Sequence, residues 1–247
     1  MEQIHELLGY KNIKIIQNED MFKFSLDSML LAYFVNVSYK TKKIIDLGCG
    51  NGPIPLFLTL KTKAKIIGVE IQEEVADMAK RSVELNNLSS QIEIINADLK
   101  NIYRYRDFAN TFDIVVSNPP FFKYHENSNI NKNDYLTIAR HEVKAKLSDI
   151  INEAKKLLID GGSLYMIHRA ERLDEIFMEL KKENFTVKNL QFVYPKMTSK
   201  EAMSVLIDAK KNRNPGLKVK EPLYIYQDND EYTDTIKKIF NFNKPNE

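Results

Sequence analysis

The chain has 247 residues, of which 43% are hydrophobic and 28% are charged, and its formal net charge is +2. This composition is typical of a soluble domain with a sizeable core, and no apolar run is long enough to cross a membrane as a helix. The single cysteine excludes an internal disulfide, and the four histidines show no metal-ligand spacing with it. The first residues lack the pattern of a signal peptide. We therefore expect a cytoplasmic protein with no membrane anchor and no metal ion.

The first predicted helix follows a short extended segment that begins at Phe22. It starts near Asp27 or Ser28, because both residue types are favoured N-caps. Asp27 has two interpretations that the local sequence does not separate. It is either a plain helix cap or a carboxylate that faces a ligand.

A predicted strand over 43–47 leads into the glycine loop, Gly48 to Gly52, and a helix begins at Pro53. A strand, a glycine-rich turn and a helix in this order let the backbone approach a nucleotide-like ligand. The glycine spacing differs from the dinucleotide fingerprint and no Gly-Lys-Ser/Thr follows, so we do not expect a phosphate cradle. Asp46 either contacts the ligand or is a buried structural carboxylate. Cys49 is interpreted as a small loop residue rather than a nucleophile.

Two further predicted strands, over 65–70 and 91–96, also end in polar residues. Glu70 closes the first of them, and a carboxylate about 20 residues beyond a glycine loop is placed to accept hydrogen bonds from ribose hydroxyls. The same carboxylate disfavours a phosphate group at that position. Asn96 and Asp98 stand at the end of the second strand, so polar side chains continue along the same predicted edge.

A fourth predicted strand, over 112–117, is followed by Asn118-Pro119-Pro120-Phe121. The amide oxygen of Asn118 and the carbonyl of Pro119 can accept both hydrogens of a planar amine, and the ring of Phe121 can stack on it. Prolines lack an N–H and fix φ, which makes such a loop stiff and rich in acceptors. A plain turn is the alternative interpretation.

The remaining elements complete an alternation of strands and helices. Predicted helices cover 73–86, 147–158 and 169–183, and predicted strands cover 162–168, 187–194 and 202–209, with a helix stop at Asp160-Gly161-Gly162. Such an alternation predicts a parallel sheet whose carboxyl strand ends share one edge. The residues expected to meet at that edge are Gly52, Glu70, Asp98 and Asn118.

Basic side chains are concentrated in two parts of the chain. Residues 185–220 carry eight lysine or arginine residues against two acidic ones, and a second cluster, mixed with aromatic residues, lies between 121 and 146. Basic groups beside aromatic rings favour an RNA with exposed bases, and a solvated lysine-rich surface is the alternative. The polar segment 125–133 is either a lid over the substrate or an ordinary loose loop. The predicted substrate contacts are Phe121, Phe122, Lys123, Arg140 and Lys196, of which Arg140 is equally well interpreted as a surface group.

Together these motifs resemble those of the class I S-adenosylmethionine-dependent methyltransferases. The glycine loop is similar to their cofactor loop, Glu70 to their ribose-binding acid, and Asp98 to the residue that contacts the adenine amino group of the cofactor. The resemblance implies a Rossmann-like α/β fold: a mostly parallel seven-stranded sheet with an antiparallel edge strand and helices on both faces. It also implies that S-adenosylmethionine is the cofactor. The implied cofactor contacts are Asp27, Asp46, Gly48, Cys49, Gly50, Gly52, Glu70, Ile71, Asp98, Leu99 and Asn118.

A closer resemblance covers nearly the whole chain. Segments 22–32, 139–142, 172–173 and 221–226 resemble those of the bacterial tRNA adenine-N6 methyltransferases, which act on the adenosine beside the anticodon of a valine tRNA. This resemblance implies a tRNA substrate and a first segment that closes over the methionine end of the cofactor. The catalytic residues that it implies are Asn118, Pro119, Pro120 and Phe121. Phe121 departs from the tyrosine usual in that branch, so stacking is retained and any hydroxyl contact is lost.

We expect one domain over 1–247 and a monomer, with a cofactor-closing segment 1–40, a cofactor-binding core 41–184 and a basic sheet edge and tail 185–247. The same Asn-Pro-Pro-aromatic motif serves methylation of guanine N2 in ribosomal RNA, adenine N6 in DNA and glutamine in proteins. The basic C-terminal part argues against a protein substrate, and the lack of an evident target-recognition domain argues against DNA. A non-catalytic RNA-binding module would show damage in motifs that are intact here.

Overall fold

The computed structural model describes residues 1–7, 10–18, 26–119 and 145–241, and most of its strands belong to one mixed sheet. The strands are β1 (Glu2–Leu7), β2 (Tyr10–Asn18), β3 (Lys43–Leu47), β4 (Lys65–Glu70), β5 (Ile92–Asn96), β6 (Phe112–Ser117), β7 (Leu158–Arg169), β8 (Phe185–Lys196), β9 (Ser204–Lys211), β10 (Lys218–Val219) and β11 (Leu223–Tyr226). The α-helices are α1 (Leu26–Phe34), α2 (Pro53–Leu58), α3 (Glu73–Leu85), α4 (Leu147–Leu157), α5 (Leu173–Lys182) and α6 (Asp234–Phe240). None of these helices is long and apolar enough to cross a membrane.

The large sheet has the order β10-β8-β9-β7-β6-β3-β4-β5, with β11 also paired to β8. Strand β9 runs antiparallel to both of its neighbours, and the other described pairs of this sheet are parallel. The predicted mostly parallel sheet, with an antiparallel strand toward one side, is therefore confirmed. Two short strands, β10 and β11, extend the seven that the sequence predicts. Because the parallel strands share one direction, their carboxyl ends form a single edge.

The central strands are apolar on both faces because helices cover both faces. Ile44 of β3 and Ile114 of β6 belong to one buried cluster, while Ile45 and Val115, the next residues along, belong to the other. Successive side chains of a strand point to opposite faces, so one short apolar run supplies both layers of the core. The polar residues that follow these runs are thereby held at the rim of a rigid sheet.

Three predicted boundaries are wrong. Helix α4 ends at Leu157 and the chain enters β7 directly, so Asp160-Gly161-Gly162 is not a helix stop. It forms an irregularity inside the strand instead, where Gly161 has φ +76° and the pairing with β6 shifts register. Helix α1 already begins at Leu26, so Asp27 and Ser28 lie in its first turn rather than at its N-cap. The predicted helix over 169–183 is a short 3-10 turn followed by α5.

The antiparallel hairpin β1–β2 is a part of the fold that the sequence analysis does not predict. It lies against α3, where the backbone N–H of Ile16 donates to Ser82 Oγ at 2.9 Å and that of Lys14 donates to Asn86 Oδ1 at 2.8 Å. The Asn51 side chain of the glycine loop donates to the carbonyl of Ile16 at 2.9 Å. The hairpin therefore fastens the N-terminal part of the chain to the glycine loop.

Candidate active site

The glycine loop presents bare backbone to open space. Gly48 and Gly50 have φ of +76° and +56°, values that glycine adopts without strain. A Cβ built on either of them would meet no atom within 4 Å. The backbone N–H groups of Gly48 and Cys49 both donate to the carbonyl of Val69 at 2.9 Å, which fixes the loop to the end of β4. A ligand can therefore approach the loop backbone closely, as the sequence predicts.

Glu70 closes β4 directly beside this loop. Its Oε2 accepts the N–H of Gly50 at 3.0 Å, and its Oε1 accepts the N–H of Gln72 at 2.9 Å. Burial raises the pKa of this carboxyl group, and the backbone N–H donors oppose that rise. Each carboxylate oxygen can accept more than one hydrogen bond. Glu70 thus shapes the loop and still has acceptor capacity for ligand hydroxyls.

A small pocket lies next to Glu70 and contains several of the predicted cofactor contacts. Its lining is formed by Gly48, Val69, Glu70, Ile71, Ala97, Asp98, Leu99 and Ala145. The side-chain amide of Asn96 donates to the carbonyls of Glu70 and Ile71, at 3.0 and 3.1 Å, and so joins the ends of β4 and β5. The structure therefore brings five predicted residues together here, namely Gly48, Glu70, Ile71, Asp98 and Leu99.

Asp46, at the end of β3, is fully buried, and neither of its carboxylate oxygens has a hydrogen-bond partner among the described residues. Burial raises its pKa well above the ordinary value, and the nearby Glu70 carboxylate raises it further. A buried polar group without a partner costs free energy. This position therefore suits a ligand that brings a hydrogen-bond donor or a positive charge to the base of the glycine loop.

Asp27 and Cys49 are the other buried titratable groups among the predicted contacts. Asp27 Oδ1 has no partner within the part of the chain that the structure describes. Burial raises the pKa of Asp27, and the positive charge of Arg169 opposes the rise. Burial, followed by the charges of Asp46 and Glu70, raises the pKa of the Cys49 thiol well above its usual value. The thiolate needed for a nucleophile is therefore disfavoured, which agrees with the interpretation of Cys49 as a small loop residue.

The side-chain amide of Asn118 lies just beyond the end of β6, and its nitrogen is held by a hydrogen bond. Its Nδ2 donates to Ser28 Oγ of α1 at 3.0 Å, while its Oδ1 is buried and has no partner among the residues described. Ser117 Oγ donates to the carbonyl of Leu47 at 2.8 Å and ties the ends of β6 and β3 together. Pro119, the next residue, is buried. The structure thus presents an oriented acceptor, next to the strand that carries the glycine loop.

Ser28 and Ser117 are contributors that the sequence analysis does not assign to the site. Ser117 directly precedes Asn118, so its position in the sequence could have indicated a supporting role. Ser28 is 90 residues away from Asn118, and no local pattern connects the two. Only the packing of α1 against the sheet brings them into contact.

Several predicted residues lie outside the described ranges, namely the substrate contacts Phe121, Phe122, Lys123 and Arg140, the catalytic residue Pro120 and the segment 125–133. Lys196 is described, and it lies at the end of β8, where its Nζ contacts Asp230 Oδ1 at 2.7 Å. Lys211, counted among the basic residues, is buried and donates to Asn110 Oδ1 and to the carbonyls of Lys155 and Leu158, each at 2.7 Å. The basic residues of the C-terminal part therefore do not form one continuous free surface.

Within the described ranges, no group of three or more histidine, cysteine, aspartate or glutamate residues could hold a metal ion. The donor set around the glycine loop consists of carboxylates, backbone groups and one amide. This set fits an organic ligand with hydroxyl groups for Glu70 and a cationic group for Asp46.

Comparisons with known proteins agree with this geometry. Residues 13–193 match the family model of the methyltransferase small domain. A Trichodesmium erythraeum protein named tRNA1(Val) (adenine(37)-N6)-methyltransferase is 34% identical over 167 residues, which cover 66% of this chain and 67% of that protein. A Porphyromonas gingivalis protein of the same name is 29% identical over 177 residues, covering 69% and 68% of the two chains.

A solved structure supports the fold. The crystal structure of a protein from Agrobacterium tumefaciens, described as an O-methyltransferase, superposes with a TM-score of 0.69 at 23% identity, covering 87% of this chain and 96% of that one. At this identity the likeness concerns the fold alone. The matched family model spans the glycine loop, Glu70, Asp98 and Asn118. The chain therefore belongs to the methyltransferase small-domain family, within the class I methyltransferases whose cofactor is S-adenosylmethionine.

Proposed function

We propose that this protein transfers the methyl group of S-adenosylmethionine to the exocyclic N6 amine of an adenosine in tRNA, namely adenosine 37 beside the anticodon of a valine tRNA. The observation that carries the proposal is the Asn118 amide, whose nitrogen is bonded to Ser28 while its buried oxygen lacks a partner among the described residues. An acceptor of this kind at the end of β6 suits an amine better than a hydroxyl or a ring carbon. The name shared by the two curated relatives supports the choice of tRNA and of position 37.

The described residues fit the cofactor in three places. Glu70 would accept hydrogen bonds from its ribose hydroxyls, and Asp98 would accept one from its adenine amino group. Asp46 lacks a partner within the described part of the chain and would receive the cationic amino-acid end. Asp27 belongs to the segment that would close over that end. When bound, this cofactor supplies a methyl group that is already electrophilic, so the protein needs no covalent intermediate of its own.

The chemical task of the protein is then to make a poor nucleophile react. The lone pair of an adenine amine is conjugated with the ring, so its nitrogen attacks weakly while the amine stays planar. Asn118 Oδ1 and the carbonyl of Pro119 would accept the two amine hydrogens, draw them out of the ring plane and direct the lone pair toward the methyl group. Acceptors fixed before the reaction need no reorganisation during it, so positioning and electrostatics supply most of the rate.

The target base must leave its stack to reach this edge of the sheet. Extrusion costs least where the base is already in a single-stranded loop, as in an anticodon loop. Phe121 would hold the base by stacking, with Phe122 beside it, and Lys123 and Arg140 would bind neighbouring phosphates. Lys196 is paired with the exposed Asp230 and would exchange this weak ion pair for a contact with a phosphate.

The test is methyl transfer from labelled S-adenosylmethionine to total tRNA from a bacterial strain that lacks this activity. We expect label in one valine tRNA, at N6 of adenosine 37, after nuclease digestion and mass spectrometry. A transcript of that tRNA with guanosine at this position should accept no label. Label in ribosomal RNA, DNA or protein under the same conditions, with none in tRNA, would overturn the proposed substrate. It would not contradict the amine clamp, by which we mean Asn118 Oδ1 and the carbonyl of Pro119 as acceptors of the two amine hydrogens.

A further inference from the structure

The hydrogen bond between Asn118 Nδ2 and Ser28 Oγ, at 3.0 Å, connects helix α1 to the end of β6 across 90 residues of sequence. We propose that Ser28 is a positioning residue for methyl transfer, which holds the carboxamide of Asn118 so that its oxygen faces the substrate amine. This inference rests on the proposed function. It adds a residue that does not touch the substrate amine and influences methyl transfer only through Asn118.

An asparagine needs such a partner because its last torsion is soft. Rotation about the bond to the carboxamide has a broad, roughly twofold preference, so the side chain alone does not fix the plane of the amide. In this structure the nitrogen is bonded to Ser28, and the oxygen is buried without a partner among the described residues. Among the described residues, Ser28 is thus the group that sets the plane of the amide. Its bond is to the nitrogen, so the oxygen of Asn118 remains available for the substrate amine.

Ser28 can do this because its own position is fixed. Ser28 as a whole residue is only 5% exposed, and the residues that follow it in α1, Met29 to Ala32, are completely buried. The carboxyl end of the helix is held by Lys61, whose Nζ donates to the carbonyls of Ala32 and Tyr33 at 3.1 and 2.6 Å. The hydroxyl therefore sits on a helix that is packed along its length and fastened at its far end.

The same turn of α1 carries Asp27, one of the predicted cofactor contacts. Adjacent helical residues point about 100° apart around the axis, so one short segment can face two partners. Asp27 would contact the bound cofactor while Ser28 supports the amide that receives the substrate amine. On this basis α1 aligns the methyl donor with the methyl acceptor.

The first experiment compares Ser28→Ala and Ser28→Thr with the native protein in steady-state methyl transfer to the tRNA substrate. We expect Ser28→Ala to lower kcat about tenfold, with KM for tRNA and Kd for S-adenosylmethionine within about twofold of the native values. Ser28→Thr keeps the hydroxyl and should recover most of the rate. The matched control is Ser82→Ala, which removes a buried helical hydroxyl that bonds to Ile16 and Met78. It should lower the thermal stability and leave kcat unchanged.

A double-mutant cycle separates positioning from a general structural effect. If Ser28 acts through Asn118, Ser28→Ala should cause no further loss of rate in an Asn118→Ala background. Equal tenfold losses in both backgrounds would overturn the positioning role. The cycle requires that Asn118→Ala itself be slow, and full activity of that variant would overturn the proposed amine clamp.

The contact can also be followed without catalysis. The side-chain amide protons of Asn118, assigned by their loss in Asn118→Ala, should exchange slowly with solvent in the native protein and faster in Ser28→Ala. Unchanged exchange would show that Ser28 does not hold the amide. Faster exchange together with an unchanged kcat would show that the contact exists but does not position the acceptor. Each result is distinguishable from a failure of the proposed function, which the tRNA assay and Asn118→Ala detect.

Discussion

The site at the glycine loop and the C-terminal strands β8 to β11 are both rich in polar side chains, but they differ in how these side chains are satisfied. In the C-terminal strands, Oδ2 of buried Asp208 accepts a hydrogen bond from Asn189 at 2.6 Å, although Asp208 Oδ1 and Ser204 Oγ have no partner among the described residues. At the glycine loop, neither oxygen of buried Asp46 has a partner among the described residues, and neither does Asn118 Oδ1. Folded proteins rarely leave such groups unpaired. At the glycine loop a whole carboxylate is left unpaired, whereas Asp208 keeps a partner within the protein, so we expect ligands to complete the first region.

The largest expected effect comes from Asn118→Ala. Removing one fixed hydrogen-bonding group from a reacting centre typically lowers kcat about 10²- to 10³-fold, and the same loss is expected here because no other described side chain presents a free amide oxygen at this position. Cofactor affinity should stay within about twofold, because Asn118 is bonded to Ser28 rather than to the glycine loop. Steady-state methyl transfer and titration calorimetry measure the two quantities separately.

Asn189→Ala is the matched control from the other region. Asn189 is also a partly buried asparagine, but its amide is bonded to Asp208. Its loss should lower the free energy of unfolding and leave kcat unchanged. If Asn189→Ala slowed methyl transfer as much as Asn118→Ala, the distinction between the two regions would be untenable.

The second prediction concerns Glu70→Ala and affinity for the cofactor. Hydrogen bonds to a charged group contribute about 1.5–3 kcal/mol, so losing this carboxylate should raise the Kd of S-adenosylmethionine roughly tenfold to a hundredfold. Part of that loss comes from the loop, since Glu70 also accepts the N–H of Gly50. Titration calorimetry provides the measurement, with Asp208→Asn as the comparison at a buried carboxylate of β9. An unchanged Kd for Glu70→Ala would remove Glu70 from the binding site.

The contrast between the regions also shows what the sequence could predict. Glu70, Asp98 and Asn118 each stand at or just beyond the end of a short apolar run, so strand periodicity and turn chemistry were enough to place them at one edge. The contact between Ser28 and Asn118 has no such local signal, because it depends on how α1 packs against the sheet. Lys211 was grouped with the surface lysines, since its burial depends on where β9 lies relative to α4.

The third prediction tests whether Lys211 is a buried structural residue rather than a surface lysine, through the free energy of unfolding of Lys211→Met. The Nζ of Lys211 donates to three oxygens, those of Asn110, Lys155 and Leu158, and its loss leaves these acceptors without that donor. We expect the free energy of unfolding to fall by about 2 kcal/mol, with no change in KM for tRNA. Lys196→Met is the control, because the partner of Lys196 is the exposed Asp230 and such a pair contributes about 0–1 kcal/mol. A raised KM for tRNA in Lys211→Met, without loss of stability, would restore Lys211 to the substrate surface.

The smallest expected effect is a pH dependence that arises in β7, the strand between the two regions. Burial, reinforced by the nearby charge of Arg172, lowers the pKa of His168 to about 3. In the unfolded chain this group takes up a proton near pH 6.5, so its contribution makes the protein less stable as the pH falls from about 6.5 toward 3.

His168→Asn isolates this contribution, because the variant keeps an acceptor for the N–H of Arg169, which donates to His168 Nδ1 at 2.8 Å. Between pH 7.5 and 5.5, the native protein should lose about 1 kcal/mol more stability than the variant, as measured by urea unfolding at each pH. The buried carboxyl groups of Asp46 and Asp208 have raised pKa values, so they favour the folded state as the pH falls. They titrate in both proteins and cancel in the difference. A difference of zero would mean that His168 is protonated in the folded protein at pH 5.5, and a larger loss in the variant would reverse the assigned sign.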